Sequence, residues 1–154
     1  MILAIAAALA LTADLTPGVP GAPIASDLTY AMPIAGDWTY AATAGGSEAT
    51  FSDSAGRAQL TLRCTRATRR VAIMKTAGAA SPSLWVWTSS QSKILPATYD
   101  ASTARVSAEL AAWDPLLDAM AFSRGRFAIS VEGAPPLVLP TQPEVARVVE
   151  DCRG

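Results

Sequence analysis

The run Arg57 to Cys64 (RAQLTLRC) alternates without a break: Ala58, Leu60, Leu62 and Cys64 fall on one side, Gln59, Thr61 and Arg63 on the other. Only a β-strand repeats every two residues, so this run is predicted to be a strand with one buried face, and Cys64 lies on that face. The chain from Gly36 onward keeps the same habit. Asp37–Ala41, Ala49–Asp53, Arg69–Lys75 (Val71 and Ile73 inward), Ser83–Thr88, Lys93–Thr98, Ala104–Leu110, Arg126–Glu132 and Leu137–Leu139 are further strand candidates, bounded by Gly, Ser, Asp and Pro. Ala44-Gly45-Gly46-Ser47 and Asp53-Ser54-Ala55-Gly56 read as the turns of successive hairpins.

Twice the period changes to that of a helix. Asp114 is placed to cap a helix that opens on Pro115, carries Leu116, Leu117 and Met120, and stops at Gly125. The tail from Pro143 sets Val145, Val148, Val149 and Cys152 at i, i+3, i+4 and i+7, one apolar stripe. The expected fold is therefore mainly β: an antiparallel β-sandwich of seven to nine short strands, with two short helices over about 114–122 and 143–152. Cys64 and Cys152 sit on two buried faces inferred independently, and their pairing as a disulfide is expected. Closing a loop of roughly ninety residues stabilises by about 4–5 kcal/mol in the chain-entropy model. Two free buried thiols are the alternative if the chain stays in a reducing compartment.

Export is expected from the N-terminus. Ile2 to Ala13 is an apolar run of about a dozen residues, too short to span a hydrocarbon core of ~30 Å. It has the form of a signal peptide over 1–13, with a cut after Ala13 or after Ala10; a buried N-terminal helix is the other reading. Residues 14–35 hold Pro17, Pro20, Pro23 and Pro33 among glycines and read as an extended arm or linker. Residues 36–154 are left as a single β-rich domain. A periplasmic or secreted protein with no stable membrane span in the mature chain follows, expected as a monomer.

Composition removes several chemistries. The chain of 154 residues contains no histidine, which rules out Ser-His-Asp and Cys-His catalysis and the commonest zinc ligand. A formal charge of −1 lacks the basic excess that a nucleic-acid binder uses to displace counterions. No metal or other cofactor is expected. Ser90-Gln91-Ser92-Lys93 matches the S-x-x-K spacing that sets a lysine beside a serine nucleophile, but it lies between two strand-like runs. Asp53-Ser54-Ala55-Gly56 only approximates the aspartic-protease D-[ST]-G.

Two groups remain as possible ligand-binding residues. Arg63, Arg66, Arg69 and Arg70 surround one strand–turn–strand and are suited to an anionic partner, or serve as solvated edge charges. Trp85 and Trp87 share the face opposite Leu84 and Val86, where they form either a stacking platform for a sugar or a second buried layer.

The last forty residues carry a likeness. A helix, Ser123-Arg124-Gly125, the strand Arg126–Glu132, Gly133, the strand Leu137–Leu139 and a closing helix ending in Cys152 resemble the C-terminal half of two groups of small exported β-sandwich proteins. These are the invasion-associated locus B family and the type VI secretion-associated VasI-like proteins. The whole chain resembles an uncharacterised exported protein of alphaproteobacteria such as sphingomonads. The resemblance implies an envelope or host-contact role and carries no catalytic site. The expected function is a non-enzymatic exported accessory or binding protein of the cell envelope, touching an envelope protein or an anionic glycan. The alternative is a small periplasmic hydrolase using Ser90 and Lys93.

Overall fold

The computed structural model describes residues 28–154. The expected leader and most of the arm lie outside them. Among the described residues the order is β1 (Gly36–Thr43), β2 (Gly46–Asp53), β3 (Ala58–Thr65), β4 (Arg70–Thr76), β5 (Ser83–Trp87), β6 (Ser92–Pro96), β7 (Thr98–Asp100), β8 (Arg105–Ala111), α1 (Pro115–Ala121), β9 (Arg126–Val131), β10 (Leu137–Pro140) and α2 (Pro143–Arg153). They form a six-stranded sheet, β1-β2-β3-β4-β8-β7, and a four-stranded sheet, β10-β9-β5-β6, antiparallel throughout.

The sheets face each other as a sandwich, and alternation decides what lies between them. Phe51, Leu60, Leu62, Val71, Ile73 and Val106 of the larger sheet share one core with Leu84, Val86, Phe127, Ile129 and Leu139 of the smaller. Trp38 crosses between the two layers. Its ring meets Phe51 edge-on at 5.5 Å and its Nε1 donates to the Pro140 carbonyl at 2.9 Å.

Among the described residues ten strands are present where seven to nine were expected. The difference arises at Lys93–Thr98, which was expected as one strand. The chain leaves the small sheet at Pro96, Ala97 donates its N–H to the Pro82 carbonyl at 2.9 Å, and Thr98 starts β7 in the large sheet. One alternating run thus supplies an edge to each sheet.

Both helices stand where their start signals predicted. Asp114 caps α1 by accepting from the Leu116 N–H at 2.9 Å, with Pro115 at the first position. α2 lays Val145, Val148, Val149 and Cys152 against β1 to β4, on the core face at the Cys64 end. Arg153 locks the two helices together. It forms a bidentate pair with Asp118 at 2.8 and 3.0 Å, and its Nε donates to the Ala112 carbonyl at 2.9 Å.

Cys64 and Cys152 are bonded, with Cα atoms 5.4 Å apart and both residues at most 2% exposed. Gly46, beside Cys64 on β2, has no room for a side chain: a Cβ there would run into the Cys64 carbonyl. Cys152→Ser should lower the free energy of unfolding by about 2–5 kcal/mol in denaturant melts. An unchanged midpoint would mean that the bond does not hold the tail.

The alternation also turns Lys75 inward, between Leu60 and Val106, where it is 7% exposed. Its Nζ donates to the Thr76 carbonyl at 3.1 Å, and no carboxylate pairs with it among the described residues. Burial pushes its pKa below the ordinary lysine value. The unfolded chain therefore binds the proton more readily than the folded one, and stability rises with pH in the window just below that ordinary value. Lys75→Met should stabilise at pH 7 by about 1 kcal/mol, a gain that shrinks as the pH climbs through that window. Paired melts at pH 7 and pH 10 check this; a constant difference would refute it.

Candidate functional site

The four arginines of the β3–β4 region come together but do different jobs. Arg63 faces outward on β3, directly opposite Glu48 on β2, and its Nε donates to that carboxylate. Arg70 on β4 reaches diagonally to Glu109 on β8, Nε to Oε2 at 2.9 Å. Both are cross-strand pairs on a solvated face, each worth a few tenths to about 1 kcal/mol.

Arg66 and Arg69 sit in the turn, exposed, and form no ion pair among the described residues. The Arg66 N–H donates to the Gly45 carbonyl at 2.9 Å, fastening this turn to the tip of the β1–β2 hairpin. Arg69 turns the chain in the left-handed region at φ 51°, and its carbonyl accepts from the Ala112 N–H at 2.9 Å. A backbone held at both ends keeps these two side chains at one end of the sandwich.

Three residues not singled out in the sequence complete that end. Tyr40 on β1 donates its hydroxyl to Asp151 Oδ2 at 2.6 Å, and the Arg147 guanidinium lies over the Tyr40 ring, 3.8 Å from its centre. The Asp151 carboxyl is held below the usual aspartate range, first by the Tyr40 hydroxyl and further by the charges of Arg66 and Arg147. The signal was present: Arg147 and Asp151 stand four apart on a helix whose stripe ends at Cys152. What the sequence did not show is that the disulfide turns this helix edge toward Tyr40. Arg66 and Arg147 thus bear together on the one carboxylate of Asp151, and Arg69 belongs to the same turn as Arg66.

The tryptophans are placed differently. Trp87 is 6% exposed and packs with Ala128 and Val138 beneath Leu28, while Trp85 is half-buried beside them. They form a second apolar layer, as one of the two readings had it. The cover, however, is the segment after residue 27 and not a later helix. Ala31 O accepts from Arg126, and the Ile34 N–H donates to the Val138 carbonyl at 3.0 Å, so this segment is stitched to the small sheet. Trp87 therefore offers no ring to a sugar.

The Ser90–Lys93 pair is divided between other partners. Lys93 Nζ donates to Asp114 Oδ2 at 3.1 Å, and Ser90 Oγ lies 3.4 Å from Thr88 Oγ1, in the β5–β6 turn. Asp53-Ser54-Ala55-Gly56 is the β2–β3 turn, its carboxylate accepting from the Ala55 and Arg57 N–H groups and from Gln59. An open groove of about 380 Å³ lies where the chain crosses between sheets, lined by Pro96, Ala97, Thr98, Ser107, Ala108 and Glu109. Among the described residues no three His, Cys, Asp or Glu side chains converge where they could hold a metal ion, and no helix is long and apolar enough to cross a membrane.

No family model, no curated protein and no solved structure matches this chain.

Tyr40→Phe should destabilise by about 1–2 kcal/mol at neutral pH, because it removes a hydrogen bond to a carboxylate. Asp151 has its pKa lowered in the fold, so its contribution is present above the ordinary aspartate value and is lost as the pH falls through the folded one. The gap between wild type and Tyr40→Phe should therefore close on acidification. A gap that persists at pH 2 would place the effect in packing.

Proposed function

We propose that this protein is a non-enzymatic, exported accessory protein of the cell envelope that binds an anionic partner, an acidic protein or an anionic glycan, at its Arg66–Arg69–Arg147 end. The observation that carries this reading is the division of the arginines. Arg63 and Arg70 are neutralised by Glu48 and Glu109, whereas Arg66 and Arg69 project from a turn fixed at both ends beside a guanidinium pinned on Tyr40. The Arg147 guanidinium, already placed over Tyr40, loses little freedom when it meets carboxylate, sulfate or phosphate oxygens. The fixed turn keeps the backbone of Arg66 and Arg69 in position beneath two guanidinium groups that form no ion pair among the described residues. The envelope setting draws on the leader-like N-terminus, the resemblance of the C-terminal part to exported sandwich proteins, and the disulfide, a bond at home in oxidising compartments.

Retention of the oxidised protein on immobilised heparin and on polyglutamate, eluted by salt, tests it. Wild type should be retained on at least one matrix in a salt-dependent way. Arg66→Gln, Arg69→Gln and Arg147→Gln together should abolish retention, and Arg63→Gln with Arg70→Gln should leave most of it. Equal loss from the two variants, or none from the first, would sink the reading.

A further inference from the structure

We propose that the outer edge of β1 receives an extended acidic peptide segment of a partner protein, which joins the large sheet as a seventh strand beside Arg147. This rests on the anionic-partner reading and adds to it the class of partner and the way it binds.

β1 ends the six-stranded sheet, and among the described residues no strand lies on its outer side. Thr43 pairs with Gly46 across a two-residue turn, so Thr43, Ala41 and Thr39 exchange hydrogen bonds with β2. The N–H and C=O groups of Ala42, Tyr40 and Trp38 therefore point away from the sheet. A row of backbone donors and acceptors with no strand partner among the described residues is complementary to one thing above all, the backbone of another strand.

The other sheet ends are protected. β7 has three residues; β6 and β10 both end in proline, at Pro96 and Pro140; β10 is also met by the Ile34 N–H. β1 has eight residues, contains neither proline nor a basic side chain, and bears its one charge, Asp37, near its start. Its last three residues, Ala41, Ala42 and Thr43, are small and exposed, so another backbone can approach closely.

Charge selects the partner. Arg147 is exposed and lies over the ring of Tyr40, one of the residues whose backbone faces outward. A strand laid along this edge brings every second side chain to the Tyr40 face, within reach of Arg147. Arg66 stands near the strand's far end, where its N–H holds Gly45. Asp151, hydrogen-bonded to the Tyr40 hydroxyl, offsets one of these two positive charges, so a carboxylate is favoured over a lysine by the cation left in excess.

The test uses the full-length oxidised chain and three fluorescent octapeptides: alternating Val-Glu, alternating Val-Lys, and Val-Glu with alternate amide nitrogens methylated so that one edge cannot pair. The Val-Glu peptide should bind at least about tenfold more tightly than either control. At saturation it should slow hydrogen exchange at the Tyr40 and Ala42 amides. Ala42→Pro removes an outward N–H at an edge position that tolerates proline, and should abolish binding. Arg147→Gln should weaken it about tenfold and flatten its salt dependence. Should Ala42→Pro fail to fold by circular dichroism, the exchange measurement on the unaltered chain decides.

Equal binding of the methylated peptide overturns strand addition and leaves the anionic site standing. Retention on heparin with no response to any peptide overturns the partner class alone, and failure of both removes the site as well. Tyr40 and Ala42 amides already protected without peptide, or a doubled mass in light scattering that Ala42→Pro abolishes, would mean that this chain or a second copy fills the edge.

Discussion

The bond between Cys64 and Cys152 is the constraint on which the arrangement of the arginine-bearing end depends. It fastens α2 to the inner face of β3, at a place where Gly46 leaves no space for a side chain. Asp151 precedes Cys152 and Arg147 lies one helical turn earlier. Holding the helix at Cys152 thus sets the carboxylate on the Tyr40 hydroxyl and the guanidinium on the Tyr40 ring. The second anchor, Arg153 on Asp118 and the Ala112 carbonyl, fixes the rotation of the same helix against α1. A short helix has little stability of its own, so these anchors and its valine stripe decide whether it is a helix in place at all.

The charges divide by what surrounds them. On the open face of the large sheet, Arg63–Glu48 and Arg70–Glu109 sit in water, where ion pairs add little to stability and chiefly cancel each other's field. At the disulfide end Arg66 and Arg147 act on a single carboxylate, Asp151, and Arg69 forms no ion pair among the described residues. The same residue type is therefore neutralised at two positions and left available at three. No count of arginines in the sequence separates the two cases, because the deciding carboxylates come from other strands, β2 and β8, 15 and 39 residues away along the chain.

Much of the fold was legible. Alternation at Arg57–Cys64 and at Val71–Ile73 identified the core faces, and the Asp114-Pro115 start and the Val145–Cys152 stripe identified both helices. It failed where a local pattern spans a global event. Lys93–Thr98 alternates like one strand, yet the chain passes between sheets at Ala97, and nothing in a six-residue window distinguishes a corner from a straight run. Trp85 and Trp87 were correctly assigned to one face, but their cover comes from Leu28 and Ala31, in a stretch read from its prolines and glycines as an extended arm, whereas Leu28 and Thr29 are helical. Of the candidate site, the arginine cluster was readable and its partition was not; Tyr40, Arg147 and Asp151 were visible only as members of their own elements.

By itself, the sequence determined the period of each segment, the exclusion of histidine chemistry, and the coincidence of two cysteines on two apolar faces. These are properties of neighbours a few residues apart, where side-chain direction follows directly from strand or helix geometry. The tertiary structure alone decided which edge of the sheet stayed open, which arginines met carboxylates, and which tyrosine lay under Arg147. Those outcomes depend on strand order and on how the disulfide docks α2, and residues such as Tyr40 and Asp151, 111 apart in the sequence, are brought together only by the arrangement of the elements between them.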